Sequence, residues 1–155
     1  MPDKAWRYEH LDLNEASLPD GRTIRRPVVT VGGPGIVRDY IAVVDSGSPV
    51  SVADSRLFPS LGIDIETDAP LFAVSVGVGG AYTKVPVVVA ELELRSPPGQ
   101  PSDTVAWQLQ LGARRAWRQP FTVLFGQPGW FDRFPTTIEA SATVVELCPR
   151  KPIAG

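Results

Sequence analysis

The sequence predicts an all-β fold: a small closed or partly closed barrel of short strands with one or two short helices. First, 16 prolines and 14 glycines lie between apolar runs, where they end strands, and a helical bundle would tolerate them poorly. Second, short runs rich in β-branched residues recur along the chain. Third, Leu92 and Leu94 alternate with charged neighbours, as in a half-buried strand. A length of 155 residues fits one domain.

Nine such segments predict strands, in chain order residues 26–31, 40–44, 50–52, 71–78, 82–94, 105–111, 120–126, 136–138 and 143–147. The first two flank a glycine-rich turn and predict a hairpin. The fourth and fifth predict a longer hairpin with a flexible glycine tip. Residues 53–61, closed by Gly62, predict a short helical stretch, and residues 129–134 predict a further helical turn.

Composition excludes several classes of function. The formal net charge is -2, so no basic excess exists to bind nucleic acid, and the pair Arg25-Arg26 is expected to be solvated. One histidine, His10, and one cysteine, Cys148, supply a zinc site poorly, and neither a metal nor another cofactor is expected. The lone cysteine, the polar start and the lack of a membrane-length apolar run predict a cytoplasmic protein without membrane contact.

The segment most suggestive of chemistry is Val43-Val44-Asp45-Ser46-Gly47. An apolar strand that ends in a carboxylate is expected to leave that carboxylate partly desolvated. The serine hydroxyl offers a hydrogen bond, and glycine permits a sharp turn or a close approach of another chain. Because Asp, Ser and Gly are also common turn residues, an ordinary turn remains the alternative for this tripeptide alone.

The order of the neighbouring features resembles that of retropepsin-like aspartic proteases, the family of the retroviral proteases and their bacterial relatives. A hydrophobic strand enters Asp45-Ser46-Gly47, and a short helical stretch follows at residues 53–62. Next comes a hairpin with a glycine-rich tip at residues 76–82. Late in the chain, Leu124-Phe125-Gly126 precedes a short helical segment at residues 130–134. The resemblance covers about residues 26 to 147.

The resemblance implies an aspartic endopeptidase that hydrolyses polypeptide substrates, with Asp45 as its catalytic residue. It assigns Ser46, Gly47 and Ser48 to support of the catalytic loop. A substrate-binding flap would comprise Gly77, Val78, Gly79, Gly80 and Tyr82. The late glycine loop would comprise Leu124, Phe125 and Gly126.

A homodimer is expected because this chemistry needs two carboxylates and the chain holds one Asp-Ser-Gly. By resemblance, Ser46 would bond across to the partner's loop and Gly47 would leave room for substrate backbone. Two departures from the family pattern are Ser48, where many relatives carry alanine, and Gln127, where an arginine is common. The second departure puts in doubt an ion pair that supports the site or the dimer in some relatives.

Residues 1–25 are interpreted as an N-terminal segment and candidate interface strand, residues 26–147 as the retropepsin-like domain, and residues 148–155 as a tail. In retroviral relatives both termini interleave into a shared sheet. Here residues 144–147 offer such a strand, cut short by prolines, and residues 6–13 are its alternative. Aromatic residues expected in the core are Trp107, Trp117, Trp130, Phe131 and Phe134.

Two further functions stay open at this point. The same fold, catalytically weak or inactive, would serve as a dimerisation or peptide-binding module, because strand addition alone binds peptides. An unrelated β-barrel binding protein would require the four matching features to be coincidental.

Overall fold

Short strands dominate the computed structural model, which describes residues 4–78 and 81–147. Within those residues the strands are β1 (Ala5–Glu9), β2 (Leu11–Ser17), β3 (Thr23–Arg26), β4 (Val28–Gly32), β5 (Tyr40–Val44), β6 (Val52–Asp54), β7 (Phe72–Val78), β8 (Ala81–Arg95), β9 (Thr104–Arg114), β10 (Val123–Phe125), β11 (Thr136–Ile138) and β12 (Ala142–Glu146). One 3₁₀ helix, Ser55–Leu61, follows β6 and ends at Gly62, whose φ of 76° is left-handed. The all-β prediction is confirmed.

Six strands close into a barrel in the order β4-β5-β10-β6-β9-β8, and β8 pairs again with β4. The closing pairs join Thr30 to Arg95 and Val31 to Leu94. β7 extends the sheet beyond β8 and is the first arm of the long antiparallel hairpin that the sequence predicts. The hairpin of β4 and β5 is likewise confirmed, with Val29 opposite Ala42.

β10 lies between the two strands that flank the Asp45 loop. It runs parallel to β5, with Leu124 opposite Val43, and antiparallel to β6, with Leu124 opposite Val52. β5 and β6 are therefore consecutive in sequence but not neighbours in the sheet. The loop that carries Asp45 crosses over the end of β10.

An aromatic cluster fills the core beneath this loop. The rings of Phe125 and Trp130 stack with centroids 4.8 Å apart, and Phe134 and Trp107 close the cluster edge-on at 5.1 Å. Trp130 and Phe134 are buried, as expected, whereas Phe131 is half-buried at the margin of the core. Residues 130–134 form a single hydrogen-bonded turn, because Pro135 prevents the helix from continuing.

The N-terminal segment belongs to the same fold. β1 pairs with β12, and β12 also pairs with β11, so these three strands form a second sheet. Trp6 and Tyr8 on β1 are buried in the main core. β2 and β3 form a separate two-stranded sheet, and the strand expected at residues 26–31 is interrupted at Pro27, which has no N–H to donate. Among the described residues no helix is long and apolar enough to span a bilayer.

Candidate active site

Asp45 lies at the exposed end of β5, in a loop held by backbone hydrogen bonds. Its N–H donates to Phe125 O at 2.8 Å, and Ser48 N–H donates to Asp45 O at 3.1 Å. Gly47 N–H donates to Asp45 Oδ1 at 3.0 Å and so orients the carboxylate. In the single chain this carboxylate is exposed, so the expected partial desolvation is not found, because the apolar strand ends at the surface.

The late glycine loop is packed directly against the Asp45 loop. A Cβ on Gly126 would lie 2.3 Å from Val50 O and 2.5 Å from Ser48 O, so any side chain there would displace the backbone. Gln127 N–H donates to Ser48 O at 2.9 Å, and its side-chain Nε2 donates to Ser46 O at 2.7 Å. The amide of Gln127 is neutral, and it holds the tip of the Asp45 loop through this bond to Ser46.

Ser51 connects the same two loops from the core side. The sequence did not predict this role. Its buried Oγ accepts from Gly126 N–H at 2.9 Å and donates to Pro128 O at 2.7 Å. A third bond runs from Gly112 N–H on β9 to Ser51 O at 2.9 Å. Nothing in the local pattern distinguishes this serine from Ser46 and Ser48, because its partners lie more than sixty residues away in sequence.

A groove of about 550 Å³ runs beside Asp45 and brings several predicted residues together. Leu124 borders it from β10, and Gly77 and Tyr82 border it from the β7–β8 hairpin. Ser48 also lines it, whereas Ser46 and Gly47 form the exposed tip of the Asp45 loop. Phe125 is buried in the core, below the groove, and supplies its carbonyl to Asp45.

The hairpin approaches the groove through its distal end. Gly77 pairs with Tyr82, and the Tyr82 ring lies so close that a Cβ on Gly77 would be 2.9 Å from Cε1. The Tyr82 side chain is otherwise 80% exposed. Val78 ends β7, and the predicted residues Gly79 and Gly80 lie outside the described residues.

The outer wall of the groove consists of residues that the sequence analysis assigned elsewhere. Arg26 is not a fully solvated loop charge: its guanidinium lies 5.8 Å from the Phe121 ring centroid, and its Nε lies 3.4 Å from Glu15 Oε1. Trp117 is half-buried outside the main core and donates from Nε1 to Phe121 O at 2.5 Å. The sequence could not reveal these roles because both side chains reach the groove only through tertiary packing.

Trp117 belongs to a second apolar cluster on the outer face of β5, called the groove cluster below. It comprises Val28, Val43, Phe121, Leu13, Ile41, Trp117 and Leu124. Elsewhere, His10 is buried, and its backbone N–H donates to Ser141 O at 2.9 Å. Across residues 4–78 and 81–147, no three His, Cys, Asp or Glu side chains converge in a metal-binding arrangement.

Comparison with known proteins gives the fold a name. No protein-family model matches the chain, and a search of curated proteins finds no significant match. The chain aligns with a solved structure, that of a retropepsin-like aspartic protease from Rickettsia conorii, with a TM-score of 0.52. The alignment covers 92% of this chain and 91% of the Rickettsia chain. The chain has a retropepsin-like fold. Because sequence identity is 10%, the likeness concerns the fold alone.

Within the retropepsin-like fold, the expected order of strand, acidic loop, helix, hairpin and late glycine loop is present. The sequence-based resemblance and the all-β barrel are thereby confirmed.

Proposed function

We propose that the chain is an aspartic endopeptidase that works as a homodimer, in which the Asp45 carboxylates of two copies activate one water molecule. The observation that carries the proposal is an exposed carboxylate, oriented by Gly47 N–H, beside a groove bordered by the β7–β8 hairpin. An exposed Asp45 remains accessible to a symmetry mate, whereas a buried one would not.

The chemistry follows from the shared proton. Two carboxylates about 3 Å apart do not both ionise, so one Asp45 carries a proton and the other accepts one from water. Water oxygen attacks the peptide carbonyl carbon while the protonated carboxyl donates to the carbonyl oxygen. Collapse of the tetrahedral diol breaks the C–N bond: the proton taken from water passes to the leaving nitrogen, and one diol hydroxyl returns its proton to the other carboxylate as the C=O bond re-forms. The products are a carboxylic acid and an amine.

The surrounding residues have supporting roles in this proposal. Ser46, Gly47 and Ser48 hold the Asp45 loop in place. Leu124 borders the groove, and Gly126 packs against the backbone of the Asp45 loop. The β7–β8 hairpin acts as a flap whose backbone pairs with an extended polypeptide substrate, with Tyr82 beside the bound chain. We also propose a cytoplasmic location, supported by the single cysteine.

The decisive experiment compares wild type with Asp45→Asn. Cleavage of a fluorogenic polypeptide library is expected to fall to background in the variant, while circular dichroism and solution mass stay unchanged. Ser60→Ala, at an exposed position of the 3₁₀ helix, is the control and should retain activity. An unchanged cleavage rate in Asp45→Asn would refute the proposal. A folded wild-type dimer that binds peptide without cleaving it would favour the binding module instead.

A further inference from the structure

The hairpin of β2 and β3 lies beside the Asp45 groove, which it reaches through Arg26. Its strands pair with each other, Leu11 opposite Arg26 and Asp12 opposite Arg25, and form a sheet of their own. A two-stranded hairpin is at best marginally stable in water. Its stability must therefore come from side chains packed against another surface.

Among residues 4–78 and 81–147, part of one face of the hairpin packs on another surface. Leu13 packs against the groove cluster, and Arg26 at the end of β3 lines the groove. By strand alternation Ile24 shares the face of Arg26, and so does Leu11, which lies directly opposite Arg26. Leu11 and Ile24 nevertheless remain 39% and 37% exposed. The face turned toward the groove thus keeps uncovered aliphatic area.

The terminal strands have no backbone left for a second copy to pair with at β12. β12 is bonded on one side to β1, from Ala5 to Glu9, and on the other side to β11. Interleaving the termini of two copies around β12 would first break one of these pairings. A shared sheet built on β12, the strand expected at residues 144–147, is therefore disfavoured here, whereas β1 remains an edge strand of its sheet.

The position of the two-fold axis then points to the hairpin. If two Asp45 carboxylates approach to about 3 Å, the axis passes within a few ångströms of the Asp45 side chain. A stable interface needs about 800 Å² from each partner, more than the exposed tip of the Asp45 loop can supply. Elements that line the same groove must contribute, and β3 reaches it through Arg26.

We propose that the β2–β3 hairpin is the main subunit contact, its Leu11 and Ile24 face packing on the same face of the hairpin in a second copy. The contact is isologous, so each residue appears on both sides of the axis. This inference rests on the proposed function, because the need of Asp45 for its symmetry mate is what calls for the partner.

The test places charge on that face. In the double variant Leu11→Glu with Ile24→Glu, four carboxylates would gather at the axis, and the dimer dissociation constant should rise at least about tenfold. Sedimentation velocity over a concentration series measures it. Val37→Glu is the control, because Val37 is 96% exposed in the loop between β4 and β5 and should leave dimerisation unchanged.

A third variant probes the competing surface. Ile138→Glu places a negative charge on β11, an edge strand of the sheet formed by β1, β12 and β11, where Ile138 is 44% exposed. Loss of the dimer in Ile138→Glu with a normal dimer in the hairpin variant would overturn the inference. So would a wild type that stays monomeric throughout the concentration series.

Hydrogen exchange of the wild type gives an answer even if the charged variants misfold. Amides of residues 11–26 should gain protection as concentration rises through the dissociation constant, and gain confined to residues 136–146 would contradict the proposal. The two proposals can fail separately. A hairpin-mediated dimer without peptidase activity would refute the function only, and an active dimer with an unprotected hairpin would refute the contact only.

Discussion

The buried hydroxyl of Ser51 offers the sharpest test of how the candidate site is held together. Ser51→Ala removes the acceptor of Gly126 N–H and the donor to Pro128 O, and the missing oxygen leaves too little space for a large cavity. An unsatisfied buried N–H costs about 1–3 kcal/mol, and the part-buried carbonyl adds about 1 kcal/mol. The free energy of unfolding should therefore fall by about 2–4 kcal/mol.

Urea denaturation followed by tryptophan fluorescence, at fixed protein concentration, measures this loss. The m-value should stay the same while the midpoint moves, because the variant exposes no additional surface on unfolding. Ser60→Ala is the matched control: Ser60 is exposed and loses one part-buried bond, from its Oγ to Leu57 O at 2.6 Å, and no buried N–H is left without an acceptor, so the loss should be no more than about 1 kcal/mol. Equal losses in the two variants would show that Ser51 does not connect the two loops.

Three further predictions concern other contacts. Arg95→Met should lower the free energy of unfolding by about 2–4 kcal/mol, because the Arg95 side chain is 14% exposed and its guanidinium donates to several carbonyls of the loop between β4 and β5. The control Arg22→Met, which removes an exposed ion pair with Asp20, should leave the free energy of unfolding almost unchanged. Similar losses in the two variants would contradict this prediction. Burial raises the pKa of Tyr8 well above its ordinary value of 10.0, so the folded state keeps the proton that the unfolded state releases, and stability should decline as pH rises above about 10. Tyr8→Phe should flatten that decline in pH-dependent thermal unfolding, and an unaltered slope would refute the assignment. Gln127→Leu removes the hydrogen bond to Ser46 O, so it should lower kcat of the proposed peptidase about tenfold and change the free energy of unfolding by less than about 1 kcal/mol. An unchanged kcat would show that Gln127 does not position the Asp45 loop for catalysis.

The sequence predicted most clearly those elements whose signals are local. The strand at residues 40–44 has the predicted bounds, since an apolar run ends abruptly at Asp45, and so does the strand at residues 136–138. The helical stretch was expected at residues 53–61 because Gly62 supplies the left-handed residue that ends it; its end is right, but residues 53 and 54 belong to β6 and the helix begins at Ser55. β1 was missed as a strand of this core, although Trp6 and Tyr8 alternate with polar neighbours, because the segment as a whole is polar.

The candidate site was predicted only as far as its linear motifs extend. Asp45, Gly77, Tyr82 and Leu124 border one groove, although they come from three separate parts of the chain. The contribution of Arg26 and Trp117 could not be predicted, because it depends on how β3 and the loop after β9 pack around β5. The hydrophobic periodicity of a strand indicates which of its faces is buried, but it does not indicate which distant strand pairs with it.

The insertion of β10 between β5 and β6 has a consequence for the order of events in folding. Asp45 N–H finds its acceptor only on Phe125, so the acidic loop lacks its anchor until residues 123–125 have emerged from the ribosome and entered the sheet. Such long-range closure is slow compared with the formation of local hairpins. A nascent or truncated polypeptide that stops before residue 123 would hold the Asp45 carboxylate on an unanchored turn. Synthesis through residue 125 would thus have to precede the pairing of carboxylates that the proposed function requires.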